Sequence, residues 1–142
     1  MAHEQTHADQ LDALAEALET TGQTVNQTYG ILLDLQHPRA YACVIGCIGL
    51  HTLGREHFGV HPGNWRAVQI GQASPVLEQE GGWLVATGEL PGRLARRFGF
   101  TILTVREILT DLNDTWHWSF TDMAGMLRAA AQAWREAPEP NL

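Results

Sequence analysis

The chain has 142 residues, 44% hydrophobic and 18% charged, a composition that excludes a disordered chain and suits one domain burying about 68–70% of its unfolded surface. The formal net charge is −7 and all nine basic residues are arginine, so no side-chain amine can form a Schiff base and no phosphate-loop lysine exists. An acidic chain with scattered arginines is a poor binder of a nucleic-acid polymer, its one local basic cluster, Arg93, Arg96 and Arg97, reading as a solvated helix face, and no apolar run reaches the length of a membrane span.

Residues 1–8 form a flexible polar start without the basic-then-apolar pattern of a secretory signal. Leu11, Leu14, Ala15 and Leu18 recur at helical spacing opposite Asp12, Glu16 and Glu19, which predicts an amphipathic helix over 9–21. Asp9 is its expected cap and Gly22 its end. Tyr29 to Leu35 is a short apolar run that predicts a strand, and Gln36 to Arg39, with Pro38, a turn. Tyr41 to Ile45 is the expected return strand, entering a helix near Ile45 and Gly46 that runs to about His57; the helical period also allows a start at Ala42. Gly46 and Gly49 weaken that helix and mark close backbone packing.

Residues 58–75 have the glycines and prolines of a loop, and the runs 76–78 and 83–86 flank Gly81-Gly82 as a short hairpin or an ordered loop. Pro91 opens a small helix that Gly99 closes. Thr104 and Glu107 form a capping box for a helix ending near Asn113. Ser119 caps a last helix through Arg135, with Asp122 in its first turn and Phe120, Met123, Met126, Leu127, Ala130 and Trp134 on its apolar side. Residues 138–142 form a flexible tail. The expected fold is one α+β domain over 9–137, mainly helical, with about four helices and a small β-hairpin.

Three constellations carry side chains with chemistry. Cys43, Cys47 and His51 are spaced four and four, on one helix face. Structural zinc needs four ligands, and only chance would add His57 or His61 from the following loop, so no metal and no cofactor is expected. With two cysteines in an apolar run there is no disulfide scaffold, and a reducing cytoplasm is the expected compartment. The second constellation is the corner Asn113-Asp114-Thr115-Trp116-His117-Trp118, which gathers an amide, a carboxylate, an imidazole and two indoles. Amide and carboxylate are also ordinary capping groups at a helix end. The indoles are core if buried, and a stacking surface for a base, a sugar or a partner chain if exposed. The third is the loop around Trp65 and Arg66, where a guanidinium could hold a phosphate or carboxylate while the indole stacks.

Gly46-Cys47-Ile48-Gly49-Leu50, then Leu90-Pro91 through Phe98-Gly99-Phe100, then Leu112-Asn113-Asp114 and Ser119-Phe120-Thr121-Asp122-Met123 together resemble a pattern of small proteins from bacteriophages and actinobacterial genomes. The likeness covers roughly residues 25–130 in order. It departs where Gly46 replaces the first of the usual cysteine pair, and where Trp116-His117-Trp118 lengthens the corner. The resemblance implies a phage or prophage accessory protein and makes the Asn-Asp corner part of the fold; it brings no activity, cofactor or catalytic residue.

The resulting expectation is a non-enzymatic binding protein that captures a small, nucleotide-like ligand or a host protein, with counter-defence as its setting. Trp65, Arg66, Asn113, Asp114, Trp116, His117 and Trp118 are its expected contacts, and exposed tryptophans would bring self-association. The alternative is a small Cys/His-dependent hydrolase centred on Cys47 and His51, which needs a thiol activated by its neighbours. A third reading is an assembly subunit.

Overall fold

A computed structural model of the protein describes residues 7–30, 33–59, 64–65 and 105–136. The hairpin at 76–86, the helix opened by Pro91, the cap Thr104, and also Arg66 and His61, lie outside the described residues. What is described is α+β and mainly helical, as the apolar periods predict.

Helix α1 spans His7–Thr20, with Leu11, Leu14, Ala15 and Leu18 buried along one side. It begins earlier than the expected 9–21. Asp9 therefore sits inside the first turn instead of capping it, and its carboxylate reaches Arg135 at 3.2 Å. Gly22 does not end the helix by a left-handed turn; the chain continues into a 3-10 turn over Thr21–Thr24. What Gly22 provides is clearance, since a β-carbon there would come within 3.0 Å of the Phe120 ring.

Three two-residue strands follow: β1 at Asn26–Gln27, β2 at Leu33–Asp34 and β3 at Tyr41–Ala42. β2 and β3 pair antiparallel, with Leu33 opposite Ala42, and form the expected hairpin around residues 36–39. The sheet is larger than that hairpin. β1 lies parallel to β3, and β4 (Asn64–Trp65) adds antiparallel to β2, giving the order β1-β3-β2-β4 among the described residues. Trp65 thus lies in a strand and not in the open loop expected over 58–75. Arg39 ties the turn back to the start of the sheet: its Nε donates to Asn26 Oδ1 at 3.0 Å and its Nη2 to the carbonyls of Gln23 and Val25.

α2 runs over Val44–Leu53, starting directly after β3, and every residue from Val44 to Leu50 is buried. An all-round apolar helix of this kind belongs inside the fold. It stops at Gly54, whose φ of +84° is the left-handed region that favours glycine. α3 (Arg55–Gly59) then sets off anew, so the single helix expected out to His57 is two. With α4 at Val105–Asp114 and α5 at Phe120–Glu136, that break makes five helices among the described residues. Ser119 caps α5 as predicted, its Oγ accepting from the Asp122 N–H at 3.0 Å.

α1 and α5 pack antiparallel, as their ion pairs show: Arg128 reaches Asp12 and Glu19, and Arg135 reaches Asp9 and Asp12. Beneath these pairs Leu11, Leu18, Met123, Leu127, Ala130 and Ala131 are buried in the common core with α2 and α4. Burial is the main driving force and the ion pairs set the register. Arg128 is 43% exposed, so Arg128→Ala is expected to lower stability by less than about 1 kcal/mol. Thermal melts should also show the difference from wild type shrinking at 1 M salt, where surface charges are screened. Among the described residues no helix is long and apolar enough to cross a membrane.

Candidate functional site

The joint between α4 and α5 is where the chain places its most constrained polar groups. α4 ends by a widened turn, in which the N–H groups of Thr115 and Trp116 both donate to the Asp111 carbonyl, and that of Trp118 to the Leu112 carbonyl. Asp111 also fixes the turn through its carboxylate, accepting from Thr115 Oγ1 at 3.1 Å and Trp116 Nε1 at 2.9 Å. Trp116 and Trp118 are half-buried against the core. Between them His117 adopts φ +53°, the one described non-glycine residue with positive φ. Such a backbone is strained in most side chains and persists only where its surroundings enforce it.

The enforcement comes from a pair of amides, Asn113 buried and Gln27 half-buried. Asn113 is 0% exposed. Its Nδ2 donates to the Thr28 carbonyl at 3.0 Å and to Asp114 Oδ1 at 2.7 Å, while its Oδ1 accepts from Gln27 Nε2 at 3.0 Å. The same Gln27 Nε2 donates to the Trp118 carbonyl at 2.7 Å, and Gln27 Oε1 accepts from the Phe120 N–H at 3.2 Å. One glutamine on β1 therefore bolts the end of α4, the corner and the first residue of α5 to the sheet. Every donor and acceptor pairing here is of the kind that makes a buried polar network stabilising.

On the outside of this joint Tyr29 stacks on His117, with ring centroids 4.1 Å apart and planes inclined by 26°. Tyr29 is 47% exposed and His117 is exposed as well. Asp114 lies beside them, its Oδ1 accepting from the Gly30 N–H at 3.4 Å in addition to the Asn113 amide. Asp114 also lines a groove of about 440 Å³ along α4, together with Arg106, Glu107, Thr110, Asp111 and Thr115.

The expected contacts thus divide. His117 and Asp114 face outward at the corner, whereas Asn113 is an inward structural amide, and Trp116 and Trp118 are half-buried supports. Trp65 belongs to β4, paired in register with Leu33. Tyr29 and Gln27 were missed by the sequence reading. Tyr29 is the first residue of the strand expected over 29–35; the neighbouring Gly30, which takes φ +85°, was the available sign of a turn there.

The cysteine constellation has a different character. Cys43 is the residue before α2, in extended conformation, and Cys47 lies one turn on; both are buried. Burial pushes the Cys43 thiol up to about 11 from its ordinary 9.0. Burial, with Cys43 nearby, pushes Cys47 to about 12. Cys47 Sγ points at the Ala17 carbonyl, 3.7 Å away. His51 is exposed, with Nδ1 2.8 Å from Thr21 Oγ1. A thiol held neutral is a poor nucleophile and a poor metal ligand. Among the described residues no group of three His, Cys, Asp or Glu side chains is placed to hold a metal ion.

Two outcomes follow for these thiols. A disulfide reagent at pH 8 should leave both unmodified in the folded protein and titrate both in denaturant. Because the thiols stay neutral when folded but ionise near 9 when unfolded, their stabilisation is intact below pH 9. It falls as pH rises toward 11–12. Urea midpoints at pH 8 and pH 10.5 would show the loss.

No protein-family model, no curated protein and no solved structure matches this chain.

Proposed function

We propose that this is a non-enzymatic binding protein whose recognition element is the corner between α4 and α5. It captures a planar group, carried by a small ligand or displayed by a host protein, on the Tyr29–His117 rim. The observation that carries this reading is the ring stack itself: two exposed aromatic rings, that of His117 on a positive-φ backbone, beside a fully paired, partly buried amide network. Rings kept at the surface by such constraint lose little freedom when a ligand stacks on them, which is the general advantage of a preorganised site. Two free, buried cysteines favour a reducing, cytoplasmic setting, and a phage or prophage protein, as the sequence pattern suggests, would use such a site in host-defence inhibition.

Native mass spectrometry of the purified protein tests it. The expected result is a bound mass that disappears on denaturation and is absent from a folded Tyr29→Ala/His117→Ala variant. A bound mass that persists in that variant would overturn the assignment. So would a wild-type protein that carries nothing and only self-associates, which would favour the assembly-subunit reading. The hydrolase alternative has no support from Cys47, whose buried neutral thiol has no imidazole hydrogen-bonded to it among the described residues.

A further inference from the structure

We propose that Asp114 is the positioning residue of this rim: through one carboxylate oxygen it sets where the Tyr29 ring lies on His117. The use of the rim rests on the binding reading above, but its ring geometry can be read with no ligand present.

Both rings sit on residues whose chain neighbours are tied to the last turn of α4. His117 lies between Trp116, whose N–H donates to the Asp111 carbonyl at 3.2 Å, and Trp118, whose N–H donates to the Leu112 carbonyl at 3.0 Å. Tyr29 lies between Thr28, whose carbonyl accepts from Asn113 Nδ2 at 3.0 Å, and Gly30, whose N–H donates to Asp114 Oδ1 at 3.4 Å. The His117 side is thus held through backbone bonds and the Tyr29 side through two side chains. Asp114 enters both halves of the Tyr29 side. The same Oδ1 accepts from Asn113 Nδ2 at 2.7 Å, which keeps the N–H end of that amide toward Thr28. Thr28 has a second anchor in the sheet, its N–H donating to the Ala42 carbonyl at 2.9 Å. Gly30 already turns away at φ +85°, so the far side of Tyr29 is the side that depends on Asp114.

The helix itself gives no reason for a carboxylate here. A helix C-terminus carries partial negative charge and favours cations, yet α4 closes on Asp114 with no basic residue in its last turn. Asp114 therefore works against the end of its own helix, and what the position gains is the pair of hydrogen bonds to Asn113 and Gly30. A residue that breaks a local preference while fixing an exposed ring has its role outside the helix.

Nuclear magnetic resonance of the full chain, without ligand, tests the proposal. Wild type should give cross-relaxation peaks between the Tyr29 and His117 rings, with the signals of each displaced by the ring current of the other. Asp114→Ala should lose those peaks and move both sets of ring signals toward unstructured values. Its melting point and the cross-relaxation pattern between α1 and α5 should stay close to wild type. Asp114→Asn, which keeps an oxygen for Asn113 and Gly30, should restore the stack. Inter-ring peaks that survive in Asp114→Ala, or that Asp114→Asn fails to restore, overturn the positioning role and leave the binding reading standing. If Asp114→Ala lowers the melting point as far as Asn113→Ala does, Asp114 is a support of the whole joint and the positioning role falls as well. Absence of inter-ring peaks in wild type would remove the stack itself, and both readings would fall with it.

Discussion

Asn113→Ala is expected to destabilise the protein by about 2–4 kcal/mol, because it empties a buried position and strands several half-buried partners at once. Asn113 has no exposed surface and makes three internal hydrogen bonds. Its removal leaves the Thr28 carbonyl and one proton of the Gln27 amide without a partner in the joint, at a cost of roughly 1–3 kcal/mol for each buried group left unsatisfied. Urea unfolding measures the loss. The Asn113→Asp variant separates hydrogen bonding from packing. It keeps the shape and the acceptor for Gln27, but removes the donor to Thr28 and sets a second carboxylate against Asp114. Burial and the like charge favour its neutral form. Its stability should therefore be highest at acid pH and fall as pH rises through the raised folded value. The deficit relative to wild type should be visibly smaller at pH 5 than at pH 7.5.

Phe120→Ala is expected to cost about 3–5 kcal/mol, as for other buried phenylalanines. Phe120 opens α5, is nearly buried, and lays its ring against the 3-10 turn at Gly22 so closely that a β-carbon there would meet Cδ2 at 3.0 Å. The truncation empties the space between the two chain segments that the α1–α5 pair brings together. It also loosens the residue whose N–H is held by Gln27 Oε1. Equilibrium unfolding should show a lower midpoint with an unchanged slope. Tyr29→Ala gives the contrast, since its exposed ring contributes little burial and should leave the midpoint nearly unmoved.

Local chemistry was legible in the sequence and long-range partnership was not. The cap at Ser119, the amphipathic α1 and the apolar side of α5 follow from period and from residues that satisfy helix-end amides. The corner at Asn113-Asp114 was located for the same reason. Its inner role was not, because Asn113 acts through Thr28 and Gln27, which lie 85 and 86 residues away. Gln27 sits in a two-residue strand, too short for any alternation to announce it. β4 escaped for the same reason, its glycine- and proline-rich surroundings outweighing two residues of pairing. The split between α2 and α3 had a signal in Gly54, but the apolar period through Leu50 and Leu53 overrode it. Cys43, Cys47 and His51 have the spacing of a shared face, yet burial sends the thiols inward and leaves His51 at the surface. Spacing alone does not carry that distinction.

The central claim is that the Tyr29–His117 rim is where this protein meets its ligand. Aromatic carbon–proton nuclear magnetic resonance of the full chain, titrated in turn with an arginine peptide and with nucleosides, tests it most directly. The rim predicts that Tyr29 and His117 ring signals move together and saturate with one ligand class, while those of Tyr41 and His37, paired on the β2–β3 hairpin, stay still. Signals that move at Tyr41 and His37 instead, or no movement at Tyr29 and His117 with any of these ligands, would contradict it.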